Sequence, residues 1–179
     1  MNPADHTCAM TTAPTRITND ISIRRNLRDG DADAIAELHR RVYASEYGLN
    51  ERFVESVRRG VEAAARSGWP QRSGAVWLVD GDEALLGALG LTKEGGGLGK
   101  VRWFVLDPSL RGRGLGRELI AELLADARAA GLQTLVLETF SALTAAAHIY
   151  RAAGFSVTWE RPLQEWGPTV TFQQYELTL

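Results

Sequence analysis

One cysteine, Cys8, stands in the 179 residues, which excludes an intramolecular disulfide and any metal site built on cysteine pairs. Histidine is nearly as scarce, and His6, His39 and His148 are too scattered to offer ligand spacing, so no metal is expected. No apolar run approaches the roughly 20 residues that span a bilayer. The N-terminus lacks an apolar signal core, so no membrane partner is expected and a cytoplasmic location is. Neither sign of charge dominates. The 20 basic and 22 acidic side chains leave a formal −2, which argues against a nucleic-acid partner. Internal repeats and low-complexity tracts are missing too.

What is present reads as an ordinary globular chain. Hydrophobic residues make up 45% and charged residues 23%, and the length suits one domain with a sizeable core. Residues 1–18 are short of large apolar side chains and carry Thr7, Thr11, Thr12, Pro14 and Thr15, so they are expected to form a disordered leader. That leaves 19–179 as a single domain.

Hydrophobic periodicity supplies the elements. Residues 21–24 alternate as a strand, and Asp29-Gly30-Asp31 breaks it and offers capping carboxylates. Ile35, Leu38 and Val42 make a helical stripe, and Asn50 can cap a second helix carrying Phe53, Val54, Val57 and Val61. Residues 75–79 and 84–91 read as a hairpin around Asp80-Gly81-Asp82. A glycine-rich turn leads into a strand ending at Leu106, and a long helix runs from Leu115 to a stop at Gly131. Then come a strand at 134–137, a helix that Ser141 can cap, and strands at 155–159 and 170–177 around an excursion at 162–168. The predicted order is β-α-α-β-β-β-α-β-α-β-β, a mixed α/β (α+β) sheet of about seven strands flanked by about four helices.

The chemistry concentrates at Val105-Leu106-Asp107-Pro108-Ser109-Leu110-Arg111-Gly112-Arg113-Gly114-Leu115-Gly116. An apolar strand stops at a proline, and three glycines precede a helix. Glycine admits positive φ and close ligand approach. The first helical amides lack intrahelical partners and carry partial positive charge. With Arg111 and Arg113 beside it, the turn is a candidate phosphate cradle. A P-loop would need Lys-Ser or Lys-Thr after its last glycine, and Gly116 is followed by Arg117-Glu118. The Rossmann spacing fits no better.

The run Arg111-x-x-Gly114-x-Gly116 resembles the pyrophosphate signature of the GCN5-related N-acetyltransferase (GNAT) superfamily. A second segment agrees: Ala146-Ala147-His148-Ile149-Tyr150-Arg151-Ala152-Ala153-Gly154-Phe155 resembles that family's A-x-x-[L/I]-Y-x-x-x-G-F pattern. The element order matches over the chain after residue 18. More narrowly, residues 102–116, Glu138-Thr139-Phe140 and Trp166-Gly167 resemble the acetyltransferase half of bacterial MarR-like fusions. The short leader leaves no room for a winged helix, so transcription control is not expected to carry over.

The resemblance implies acetyl-CoA as co-substrate, with an acetyl group passing to a primary amine by direct attack in a ternary complex. It implies splayed strands at the cofactor site, with Phe104, Val105 and Leu106 along the pantetheine arm. Arg111, Gly112, Arg113, Gly114, Leu115 and Gly116 would hold the pyrophosphate. It assigns the Leu106 N–H to the oxyanion and Tyr150 to the departing thiolate. Glu138 is the substitute for a base that relatives carry early on the central strand. Leu143 stands where many relatives have asparagine. Tyr43, Glu46, Tyr47 and Phe53 fall in the helix pair lining the acceptor side, where an aromatic and acidic wall would suit a cationic amine. Trp159 and Trp166 could pack over that site. His148 is expected at the surface, and strand alternation sends Arg102 and Trp103 to opposite faces. The resemblance leaves a monomer or a homodimer open. Two rival readings are a non-catalytic acyl-CoA-binding module and a protein that pairs through its sheet edge.

Overall fold

The computed structural model describes residues 16–18 and 21–179. Eight strands form one sheet in the order β1-β2-β3-β4-β5-β6-β8-β7. They are β1 (Arg16–Thr18), β2 (Ile21–Arg24), β3 (Gly74–Asp80), β4 (Leu85–Gly95), β5 (Leu98–Leu106), β6 (Thr134–Phe140), β7 (Ser156–Leu163) and β8 (Val170–Thr178). Every neighbouring pair is antiparallel except β5 and β6.

Period-two alternation divides the apolar side chains between two cores. On one face Trp77, Val79, Leu89 and Leu91 meet Leu119, Ile120 and Leu123 of α4 (Leu115–Ala129), with Ala147 and Tyr150 of α5 (Thr144–Ala152). On the other, Val76, Leu78 and Ala88 meet Ile35 and Leu38 of α1 (Asp31–His39) and Val54, Val57 and Val61 of α3 (Glu51–Arg66). From α1 the chain continues through a π-helical stretch, Arg40–Ala44, into a short turn of helix, α2 (Ser45–Tyr47). Among the described residues no helix is long and apolar enough to cross a membrane.

The sequence reading and the structure part at four places. Arg16–Thr18 pairs with β2 as a strand, which adds one to the expected seven; residues 1–15 of the expected leader lie outside the described residues. The N-cap of α1 is Gly30 in the left-handed region. Asp31 instead accepts from the Arg28 amide (2.6 Å) and from both ends of the Arg24 guanidinium fork (2.6 and 2.5 Å). Arg24 also reaches Asp80 at 2.7 Å and so pins the start of α1 to β2 and β3. Ser141 does not cap α5, which begins at Thr144 behind Leu143 with no side-chain cap. Finally β7 runs on to Leu163 and absorbs the start of the excursion. Asn50 does cap α3, its Oδ1 accepting from the amides of Arg52 (3.0 Å) and Phe53 (3.4 Å).

Candidate active site

Strands β5 and β6 pair in parallel from Leu98↔Thr134 to Val101↔Leu137 and then stop. Each continues with its other neighbour: β5 stays on β4 through Val105↔Ala88 and Leu106↔Gly87, and β6 stays on β8 through Phe140↔Phe172. A wedge opens between them, edged by backbone groups that the sheet leaves free. The Asp107 amide donates back to Leu86 at 2.8 Å. Strand alternation therefore turns the amide of Leu106 away from β4 and into the wedge.

A bulge shapes the same edge. Between Gly90↔Arg102 and Ala88↔Val105, two residues of β5 oppose Leu89 alone. Trp103 carries the extra residue's twist at φ 52°, the one non-glycine among the described residues at positive φ. Its ring fits because Gly90 lacks a side chain: a Cβ there would lie 2.7 Å from the Trp103 ring, whereas one on Gly60 would meet it at an ordinary contact of 3.5 Å. The bulge defeats the expected alternation. Arg102 and Trp103 line the same cavity, with the guanidinium carbon 5.1 Å from the ring centroid.

Two cavities flank the wedge. The first, about 180 Å³, lies between α1, α3, β5, β6 and the loop carrying Trp166. The second, about 110 Å³, runs along Phe104, Val105 and Leu106 beneath Ala145, Ala146 and Ile149 of α5. Tyr43, Phe104 and Leu143 line both.

The glycine turn sits at one end of the second cavity. Gly114, at φ 84°, is the N-cap of α4 and supplies no side-chain cap, so the first amides of the helix remain available. Gly112 has open space where a Cβ would stand, whereas a Cβ on Gly116 would lie 2.9 Å from Ile149 Cδ1. Gly116 thus serves the packing of α4 on α5. Arg111 lines the cavity and forms a two-pronged pair with Glu46 at 3.0 and 2.8 Å. That hydrogen-bonded pairing raises the Arg111 pKa. Arg113 has no ion-pair partner among the described residues.

Tyr43, Phe53, Glu138, Tyr150 and Trp166 gather at the first cavity, whereas Tyr47 lines only the second. Tyr150 is 4% exposed, and its ring packs on Phe104 (6.0 Å), Phe155 (6.1 Å) and Tyr175 (5.7 Å). Burial pushes its phenol well above the ordinary range, with the neighbouring Tyr43 and Tyr175 adding to it. Glu138 lines the cavity 2.6 Å from Lys100 Nζ. Leu143 separates the two cavities, Trp166 closes the first, Trp159 packs on Phe172 at 6.0 Å, and His148 is exposed.

One residue escaped the sequence reading. His39 is buried in the first cavity against Tyr43 (5.4 Å) and Phe53 (6.1 Å). Its Nδ1 lies 2.8 Å from the Ile35 carbonyl, which makes Nδ1 the protonated donor and leaves Nε2 a lone-pair acceptor. Burial lowers its pKa to about 4, so the ring is neutral at pH 7. The available signal was position: His39 shares a helical stripe with Ile35 and Val42.

A splayed parallel pair, a left-handed glycine cap and two cavities that meet at Tyr43, Phe104 and Leu143 make up the candidate site. Residues 34–155 match the model of the Acetyltransferase (GNAT) family, and the chain belongs to that family. A mycothiol acetyltransferase of Cellulomonas flavigena is 40% identical over 101 residues, covering 55% of this chain and 27% of that protein. An IAA acetyltransferase of Azospirillum brasilense is 39% identical over 70 residues, 39% of this chain and 45% of that one. The matches thus span less than half the length of either curated relative. Among solved structures, a GNAT-family acetyltransferase of Staphylococcus aureus Mu50 superposes with a TM-score of 0.70 at 17% identity, covering 89% of this chain and 99% of that one. The yncA protein of Salmonella typhimurium, solved with acetyl-CoA, gives 0.65 at 22% identity, with 90% and 95% covered. At those identities the likeness is one of fold.

Proposed function

We propose that this chain transfers an acetyl group from acetyl-CoA to a primary amine by direct attack in a ternary complex. The observation that carries it is the meeting of two cavities across Tyr43, Phe104 and Leu143 at the wedge between β5 and β6. The residues present fit the co-substrate. Open space over Gly112 and the uncapped start of α4 suit a pyrophosphate, and the apolar floor of Val105, Leu106 and Ala146 suits a pantetheine arm. Gly112, Arg113, Gly114, Leu115 and Gly116 hold the phosphates with backbone amides. Arg111 exchanges Glu46 for phosphate oxygens.

Acetyl-CoA supplies an activated thioester; the chain supplies the surroundings. The Leu106 amide, turned into the wedge, donates to the oxygen where negative charge develops, a contact typically worth about 2.7–4 kcal/mol. Glu138 takes the proton released by the attacking nitrogen, directly or through water. Tyr150, kept protonated by its burial, donates a hydrogen bond to the sulfur as the C–S bond breaks. Cys8, the chain's one cysteine, lies outside the described residues, and direct attack needs no acyl-enzyme step.

Within the family we read residues 102–116, 138–140 and 166–167 as kinship with the acetyltransferase half of MarR-like fusions. We also read the chain as a cytoplasmic monomer or homodimer. The deciding experiment is isothermal titration with acetyl-CoA of the wild type and of an Arg111→Ala, Arg113→Ala double variant. Binding that the variant loses supports the reading, and no binding by the wild type overturns it.

A further inference from the structure

We propose that the acceptor carries an aromatic group and a carboxylate together with its amine, as a free aromatic amino acid does. The inference rests on the first cavity being the acceptor site.

Three acidic or basic side chains line that cavity: Lys100, Arg102 and Glu138. Lys100 and Glu138 neutralise one another at 2.6 Å. Arg102 has no carboxylate partner among the described residues, and the fold explains why. Its cross-strand neighbour on β4 is Gly90, and β6 has already parted from β5 at Val101↔Leu137. The acidic wall expected from the sequence does not form here, because Glu46 does not line this cavity. The cavity therefore holds one surplus positive charge. A cationic ligand is repelled by it, and an anionic group is drawn to it.

The Arg102 guanidinium is also presented for use. It rests over the Trp103 ring at 5.1 Å, a contact that fixes the plane while leaving the N–H fork free for a carboxylate. The bulge that sets Trp103 at φ 52° is what brings both side chains to the same cavity. Backbone in that region persists only where surrounding packing holds it, and the bare backbone of Gly90 provides the slot.

Much of the remaining lining is aromatic. Trp166 meets Phe53 at 5.2 Å, Phe140 at 5.7 Å and Phe172 at 5.9 Å, each edge to face. Such a cluster offers ring faces and edges to a planar apolar group. His39 adds a neutral acceptor nitrogen and no charge. The surplus cation also favours an amine bound in its neutral, nucleophilic form over its ammonium.

The test compares ring-matched acceptors at saturating acetyl-CoA by thiol release: tryptophan against tryptamine, phenylalanine against 2-phenylethylamine, with alanine as the carboxylate lacking a ring. The expected result is a preference of about tenfold or more for each carboxylated aromatic over its decarboxylated partner, as a charged hydrogen bond typically gives. Alanine turns over at least about tenfold more slowly than phenylalanine, and Arg102→Met abolishes the carboxylate preference by slowing the carboxylated aromatics about tenfold or more. Equal or better use of the plain amines overturns the proposal, as does a preference that survives Arg102→Met. Calorimetric titration with N-acetylphenylalanine and N-acetyl-2-phenylethylamine reads the same recognition without turnover, and equal affinities there also overturn it. Acetyl-CoA binding is measured separately, so failure of the transferase reading is distinguishable from failure of this one.

Discussion

Lys100 Nζ stands 2.6 Å from Glu138 Oε2, reaching across the last rung that joins β5 to β6. The pair sits where the wedge begins, with side chains 24% and 33% exposed. A partly solvated ion pair contributes about 0–1 kcal/mol to folding, whereas a general base contributes about 10²–10⁴ in rate. The two roles predict different outcomes for Glu138→Gln. We expect the midpoint of unfolding to change by less than about 1 kcal/mol and kcat to fall by about 10² or more. Lys100→Met should match it in stability while retaining far more activity. Wild-type turnover in Glu138→Gln would leave the carboxylate as a structural partner of Lys100 only.

Tyr150→Phe removes the hydroxyl and keeps the ring between Phe104, Phe155 and Tyr175. We expect kcat to drop by about 10² or more with little change in stability near pH 7. The pH dependence has a definite sign. Burial raises the phenols of Tyr43 and Tyr150 above the unfolded value of about 10. Below that pH both states are protonated and the stabilisation is fully present. As pH climbs past it the unfolded chain ionises first, and stability is lost. Melting temperatures from pH 8 to 11 should therefore fall above about 10, and a Tyr43→Phe, Tyr150→Phe double variant should flatten that fall.

His39 titrates in the opposite sense. Its imidazole is lowered to about 4 by burial, against an ordinary value of 6.5. Above about pH 6.5 both states are neutral. On acidification the unfolded chain takes up the proton first, so stability declines between the two values, by about 3 kcal/mol in all. Urea unfolding followed from pH 7.5 to 4.5 should show this loss, and His39→Phe, which keeps a ring against Tyr43 and Phe53, should remove most of it. A His39 resonance titrating at 6 or above by NMR would contradict the buried neutral state.

The elements and their order were legible because each carries a local signal. The apolar stripe of α4, the Asn50 cap of α3 and the hairpin before β4 are written in spacing alone. The glycine turn was legible for the same reason. What the sequence hid depends on contacts between distant segments. Nothing near Trp103 announces a bulge, because the slot that admits its ring is made by Gly90 on β4. Without the bulge, alternation separates Arg102 from Trp103, and the arginine's place in the cavity is lost. The Arg111–Glu46 and Lys100–Glu138 pairs join residues 65 and 38 positions apart. With Glu138 neutralised by Lys100, the unpaired Arg102 sets the charge of the first cavity. His39 was invisible as a site residue because its stripe position is shared with ordinary core side chains.

Gly116 separates helix propensity from packing. Gly116→Ala gains about 1 kcal/mol of helix propensity in α4. The new Cβ lies 2.9 Å from Ile149 Cδ1, with Leu106 Cδ1 next at 3.4 Å and Phe104 Cζ at 3.5 Å. The nearest atom is the far end of a flexible side chain, so the overpacking cost stays at the low end of about 1–3 kcal/mol. The two terms nearly cancel, and thermal stability should hold. Binding should not, because Ile149 yields toward the second cavity, whose wall it forms. We expect the acetyl-CoA dissociation constant to rise by about tenfold, equivalent to about 1.4 kcal/mol. Adding Ile149→Val should restore most of it by returning the lost space. Gly112→Ala is the contrast, since its Cβ meets nothing within 4 Å but its φ of 76° strains any side chain. That variant should lose about 1–2 kcal/mol of stability, and no substitution at Ile149 should recover it.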